Sequence, residues 1–229
     1  MKSISYAIIV AAGKGLRTGE KIPKQFAQLD GEPVLLYSIR AFKKAVDEIE
    51  IILVLNPEHH EYWNNILERF EVPEHKVVFG GEQRFDSVKN ALNVIPDSAD
   101  SIIAVHDAAR PLITEALIQR LMESARHYHA VVPGLTPADS VRLGSPTDNS
   151  VTQRTNTYLI QTPQVFRCDW MKKAFHTDYS PEFTDDASVI EKAGRKIIIV
   201  EGEKDNFKIT FPGDHVQAET ILKMRKGNT

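Results

Sequence analysis

Ile8-Ile9-Val10-Ala11-Ala12-Gly13-Lys14-Gly15-Leu16-Arg17 opens on a continuous apolar run and closes on glycines and a cation, with Pro23-Lys24-Gln25 shortly beyond. An apolar run of strand length without polar alternation suits a strand covered on both faces, as in a parallel α/β sheet. The small residues after it let backbone N–H groups approach a phosphate chain, and Arg17 and Lys24 add charge where a triphosphate would lie. A tight strand-to-helix turn with no ligand accommodates the same residues, with Arg17 and Lys24 as solvated charges. Two familiar phosphate motifs do not fit. A P-loop needs Lys and Ser/Thr after its second glycine, whereas Lys14 lies between Gly13 and Gly15; the dinucleotide fingerprint needs glycine where Thr18 stands.

Outward from this stretch, apolar runs alternate with helix-period segments. Strands are expected over residues 6–10, 49–55, 76–79, 102–105 and 130–132, and again over 196–200 and 207–210. Between them Pro33 suits a helix start before Leu35, Ile39, Phe42 and Val46, Asn56-Pro57 caps a segment carrying Trp63 and Ile66, and Thr114 caps one burying Leu117 and Leu121. The pattern predicts a doubly wound, mostly parallel sheet in a single domain spanning residues 1–229. Between residues 133 and 156 the rhythm breaks: two short segments flank Gly144-Ser-Pro-Thr-Asp-Asn, which reads as a protruding β-arm with little core of its own.

Composition sets bounds on function. The 229 residues carry a net charge of -3, so general polyanion binding is not expected and any phosphate site must be local. No nucleic-acid partner, export signal or membrane span is read from the sequence. Cys168 is the only cysteine, which excludes an internal disulfide and suits a reducing cytoplasm. The remaining histidines lack zinc-ligand spacing.

In doubly wound sheets ligands lie beyond the carboxyl ends of the strands. There the sequence places Ala11-Ala12-Gly13, Gly80-Gly81-Glu82-Gln83-Arg84, His106-Asp107-Ala108-Ala109-Arg110-Pro111 and Asp205-Asn206-Phe207-Lys208-Ile209-Thr210. Glycine amides, a carboxylate and several cations suit phosphoryl or nucleotidyl transfer, where positioning and charge neutralisation do most of the catalysis. Asp107 and Arg110 also admit reading as a surface ion pair, and Thr184-Asp185-Asp186 is expected to cap a helix over residues 187–193.

These segments, with Gln161-Thr162-Pro163-Gln164 and Ser87, occur in the order found in 2-C-methyl-D-erythritol 4-phosphate cytidylyltransferases, and the chain resembles that family over nearly its whole length. The resemblance implies a nucleotide-diphospho-sugar transferase-like fold and transfer of CMP from CTP to the phosphorylated polyol. It implies that Ala11, Ala12, Gly13 and Gly15 line the nucleotide, that Arg17 and Lys24 hold the triphosphate, and that Gly81, Glu82 and Ser87 read cytosine. Asp107, Arg110 and Thr162 would contact the polyol. Lys208, with Ser140 and Arg154 from the arm of a second subunit, would grip its phosphate. Mg²⁺ held mainly by the CTP phosphates, with no side-chain metal site, and a homodimer complete the expectation. Leu16, Ser140 and Gln153 depart from the family's usual residues. A ribitol 5-phosphate cytidylyltransferase is the nearest alternative, although Ala108-Ala109 looks like the methylerythritol branch. A catalytically inactive nucleotide-binding module and an NAD-linked oxidoreductase stand further off, the first against an intact cation set and the second against the missing fingerprint glycine.

Overall fold

The computed structural model describes residues 4–13 and 23–227. Strand β1 (Ser5–Ala11) lies between two parallel neighbours, β4 (Glu50–Leu55) and β6 (Ile102–Asp107), so every backbone group along it has a ladder partner within reach. Its side chains alternate between two cores. Ala7, Ile9 and Ala11 join a cluster with Leu36, Ile39 and Leu121, whereas Tyr6 and Ile8 join one with Val88, Met171 and Ile190. Each fully buried aliphatic side chain is worth about 1.5–3 kcal/mol of transfer free energy, which accounts for the unbroken apolar run from Ala7 to Ala11.

The first core lies under α1 (Val34–Ala45) and α4 (Glu115–Tyr128), and the second under α3 (Arg84–Leu92), α5 (Cys168–Ala174) and α6 (Asp186–Lys192). A short hairpin, β2 (Gln28–Leu29) and β3 (Glu32–Pro33), precedes α1; its turn residues Asp30 and Gly31 have φ of 51° and 86°, the left-handed values of a type I′ turn. Helix α2 (His60–Arg69) connects β4 to β5 (Lys76–Phe79), and a short 3₁₀ turn before α2 is capped by Asn56. Thr114 caps α4 as its sequence position predicts, its hydroxyl accepting from the Leu117 N–H.

The main sheet runs β10-β7-β11-β6-β1-β4-β5, with β7 (Ala130–Leu135) also paired to β12 (Ile198–Glu201). The pairs along β5-β4-β1-β6 and the β12-β7 pair are parallel; β11 (Gln164–Arg167) and β10 (Leu159–Ile160) are antiparallel to their neighbours. The mostly parallel, doubly wound sheet expected from the sequence is present. Its antiparallel strands are additions that the apolar pattern did not reveal.

Two expected elements differ. Residues 207–210 form no strand: Ile209 packs with Leu112, Ala218 and Leu222, and its N–H bonds to the Ala109 carbonyl, so the segment lies across the loop after β6 outside the sheet. It then leads into α7 (Pro212–Gly227), where Asp214 accepts from the N–H groups of Thr210 and Phe211. The break after β7 does contain a hairpin, β8 (Arg142–Gly144) with β9 (Asn149–Val151), in a two-stranded sheet of its own, but residues 133–135 belong to the main sheet.

Candidate active site

Strand order reverses at β1. The chain leaves β1 toward β4 and β5 on one side, and α3 carries it back to β6 on the other. Such a switch point opens a crevice beyond the carboxyl ends of the two central strands. Ala11, Ala12 and Gly13 leave β1 at this point, and Gln25 holds their backbone open, its amide donating to the carbonyls of Ala11 (2.9 Å) and Gly13 (3.0 Å). Lys24 reaches the same pole and donates to the Ile209 carbonyl at 2.8 Å, beside Lys208. Gly15 and Arg17 lie outside the described residues.

At the end of β6, Asp107 is 7% exposed and surrounded by cations. Lys208 Nζ donates to Oδ2 at 2.8 Å, Arg84 Nε to Oδ1 at 3.3 Å, and Arg110 Nε lies 4.0 Å from Oδ2. Burial alone would push this carboxyl up; the Arg84 and Lys208 charges outweigh it and hold Asp107 far below the ordinary carboxylate range. Asp107 and Arg110 are therefore not a solvated surface pair. Arg84 is fixed from its other side by Asp186, which accepts two parallel bonds at 2.9 and 2.8 Å and is itself 1% exposed. Burial disfavours the Arg84 charge, yet Asp186 and Asp107 together raise its affinity for the proton. Burial raises the Asp186 carboxyl, and the bidentate Arg84 guanidinium opposes that rise. Removing one partner from a fully buried pair costs about 3–5 kcal/mol; the cost here is smaller because the Arg84 side chain is 32% exposed.

The backbone carrying Asp107 is held by a second network. The His106 ring is wholly buried, with Nε2 3.2 Å from the Arg110 carbonyl and Nδ1 3.1 Å from the Thr162 hydroxyl. A carbonyl only accepts, so Nε2 bears the proton and Nδ1 accepts from Thr162, whose oxygen in turn accepts the Asp107 N–H at 3.0 Å. Burial lowers the His106 pKa from 6.5 to about 4, consistent with a neutral ring. Asn206 donates to the Thr162 carbonyl and accepts from Arg110 through its own backbone carbonyl. Arg110 Nε and Asn206 Oδ1 are buried with no hydrogen-bond partner among the described residues. Thr162 thus acts through its hydroxyl on the loop that displays Asp107 and Arg110.

Residues 80–83, between β5 and α3, form the opposite wall. Gly80 has no room for a side chain: a Cβ there would lie 2.5 Å from the Ala12 Cβ and 2.7 Å from the Ser87 Oγ, so glycine lets this loop close on the end of β1. At Gly81 a Cβ would meet that of Asp86 at 2.3 Å, because Asp86 and Gln83 form a capping box at the start of α3. Gly81 and Glu82 are exposed. Ser87 is buried, its hydroxyl accepting from the Gly81 N–H and donating to the Gln83 carbonyl, so it shapes the loop from within.

The chain brings Asp107, Arg110, Thr162 and Lys208 into direct contact or one bond apart, with Lys24 alongside. It does not bring Ser140 and Arg154 to them. Both are exposed next to the β8-β9 hairpin, and Arg154 donates to the Ala138 carbonyl at 2.7 Å. The sequence reading counted Arg84 among the strand-end cations without a role of its own, and for Thr184-Asp185-Asp186 it favoured a helix cap. Asp185 does the capping, through the Ser188 N–H, and is itself held by Gln164. The acidic doublet was the available signal: a cap consumes one carboxylate and leaves the second to be explained.

A model of the family "2-C-methyl-D-erythritol 4-phosphate cytidylyltransferase" matches residues 5–224. A protein of that name from Bacteroides thetaiotaomicron is 42% identical over 209 residues, covering 90% of this chain and 94% of the relative. Among solved structures, 4-diphosphocytidyl-2C-methyl-D-erythritol synthase from Anaerococcus prevotii superposes with a TM-score of 0.81 at 27% identity, covering 96% of this chain and 99% of its own. The 2-C-methyl-D-erythritol 4-phosphate cytidylyltransferase of Francisella tularensis gives a TM-score of 0.79 at 34% identity, with 95% and 99% covered.

Proposed function

Because the chain belongs to the 2-C-methyl-D-erythritol 4-phosphate cytidylyltransferase family, we propose that the pole around Asp107 is where it carries out that family's reaction. The enzyme is a nucleotidyltransferase: it transfers CMP from CTP to 2-C-methyl-D-erythritol 4-phosphate and releases pyrophosphate, a step in non-mevalonate isoprenoid precursor synthesis. The family match does not favour the ribitol 5-phosphate alternative. The observation that carries the siting is the cluster of cations at the β1/β6 switch point, where Arg84, Lys208 and Arg110 close on the buried Asp107 carboxylate and Lys24 lies beside them on the Ile209 carbonyl.

The chemistry follows from this arrangement. A phosphate monoester, with a second pKa near ~6, is largely a dianion at neutral pH and needs no protein nucleophile. Its oxygen attacks the α-phosphorus of CTP, a P–O bond forms, and the bond to the β-phosphate breaks with its electron pair leaving on pyrophosphate. In our reading Ala11, Ala12, Gly13 and Gly15 line the nucleotide, Arg17 and Lys24 stabilise charge on the α-phosphate and leaving group, and Gly81 and Glu82 face cytosine over the buried Ser87. Asp107 accepts from the polyol hydroxyls. Lys208 aims the attacking phosphate, and Arg110 offers the buried N–H that lacks a partner.

Mg²⁺ belongs to the proposal as an ion carried by the CTP phosphates. Among the described residues no group of three or more His, Cys, Asp or Glu side chains is placed to hold a metal, and the Asp107 oxygens already face cations. When bound, the ion supplies further charge neutralisation on the triphosphate. A homodimer supplies what one chain lacks. Ser140 and Arg154 would enter the partner's site, an assignment supported by exposed apolar side chains on and beside the hairpin: Leu143 at 59%, Val151 at 74% and Leu159 at 58%. We place the enzyme in the cytoplasm, in keeping with the buried, unpaired Cys168. No helix among the described residues is long and apolar enough to cross a membrane.

The siting is tested by pyrophosphate release from CTP plus 2-C-methyl-D-erythritol 4-phosphate, comparing wild type with Asp107→Asn and Lys208→Ala. Both variants should stay folded and lose most turnover. Full activity in both would move the site elsewhere.

A further inference from the structure

Asp186 is buried, joined by both carboxylate oxygens to Arg84, and 102 positions from it in sequence. The transfer chemistry gives it no contact with either substrate, and the cap of α6 is supplied by Asp185. Its two bonds occupy both terminal nitrogens of Arg84, leaving only Nε to reach Asp107 Oδ1, while Lys208 takes Oδ2. The four groups form an unbroken series from carboxylate to guanidinium to carboxylate to ammonium, running from the start of α6 to the substrate-facing edge of the pole. The far end is also fastened: Gln164 on β11 donates to Asp185 Oδ2 and accepts from the Ala187 N–H, so the backbone on both sides of Asp186 is fixed to the sheet.

We propose that Asp186 is a positioning residue for cytidylyl transfer, acting through Arg84 to hold the Asp107 carboxylate opposite Lys208. This rests on the siting proposed above. With Asp186 in place Arg84 is already neutralised and makes one glancing bond to Asp107. Without that charge, the half-buried guanidinium keeps Asp107 as its one carboxylate partner among the described residues and competes for it with Lys208 and Arg110. The carboxylate is then drawn away from the polyol, and Lys208 loses the partner that orients its ammonium group.

The test is steady-state kinetics with Asp186→Asn, which keeps the side-chain shape and removes the charge. The variant should raise the KM for 2-C-methyl-D-erythritol 4-phosphate and lower kcat/KM for it by about 10–100-fold, the range expected when a reacting group is displaced by about an ångström, with a much smaller change in the KM for CTP. Arg84→Lys, which keeps a cation but loses the fork, should show the same split and serves if the first variant is poorly folded. The double variant Arg84→Met with Asp186→Asn should be no worse than Arg84→Met alone, because Asp186 then has nothing to hold. A lowered melting temperature with both KM values unchanged, or additive losses in the double variant, would overturn the proposal while leaving the siting intact. An inert wild type would overturn both.

Discussion

Lys24 extends from the glycine-rich segment to the Ile209 carbonyl at 2.8 Å, on the same side as Lys208. A charge placed in advance on a developing phosphate is worth ~2.7–4 kcal/mol, so Lys24→Ala should lower kcat by roughly 10²–10³. A urea unfolding midpoint close to wild type would show that the fold survives. Near wild-type kcat in that folded protein would remove Lys24 from the machinery. His106 makes a different prediction, one of stability. The unfolded ring takes up a proton near its ordinary 6.5, whereas the folded ring resists until about 4, because burial disfavours the charge. The unfolded state therefore binds more protons between these values, and stability falls as pH is lowered from 6.5 to 4, by about 3 kcal/mol for this one group. Asp107 has the opposite history, a carboxyl held below its ordinary range, and its contribution is lost only at lower pH. Urea titrations between pH 7 and 4.5 should show this slope in wild type and a flatter one in His106→Asn; equal slopes would contradict the buried neutral ring.

The 80–87 loop is the element to which the proposed function gives base choice. It is held by the Gly81–Ser87 bond, by the capping box of α3 and by the Gly80 contact with Ala12. Fixed backbone groups facing cytosine would be left unpaired by uracil, which reverses the hydrogen-bonding sense at N3 and C4, at ~1–3 kcal/mol for each group. CTP should therefore exceed UTP in kcat/KM by at least about tenfold, and Gly81→Ala should narrow the gap by pushing the loop off Asp86. Equal use of both nucleotides by wild type would dismiss this role. At this scale the sequence was most legible where a residue acts locally. The β1 run, the Asn56 cap and the Thr114 cap each follow from neighbours in the chain. Strand β11 was not legible, because Thr162-Pro163 and its glutamines interrupt any apolar period and its antiparallel pairing is decided by β6 and β7. Residues 207–210 alternate like a strand but bury Ile209 against α7. Asp186 was hidden for a related reason: its partner lies on α3, and no spacing rule links the two.

For the whole molecule, the proposed site joins a pole of the sheet to the Ser140 and Arg154 segment of a second copy, because the chain does not bring these two residues to its own pole. Arg154→Ala and Lys24→Ala proteins should each be nearly inactive alone. Mixed, they should regain activity, because a heterodimer holds one site with both residues intact. Native mass spectrometry should confirm subunit exchange; exchanged heterodimers without activity would show that the arm serves its own chain. The substrate itself is tested most directly by competition. Wild-type enzyme is given limiting CTP with equal amounts of 2-C-methyl-D-erythritol 4-phosphate and ribitol 5-phosphate, and the cytidylylated products are separated by mass. Nearly all product should carry methylerythritol, with one pyrophosphate released per product; a ribitol product formed in equal or greater amount would contradict the assignment.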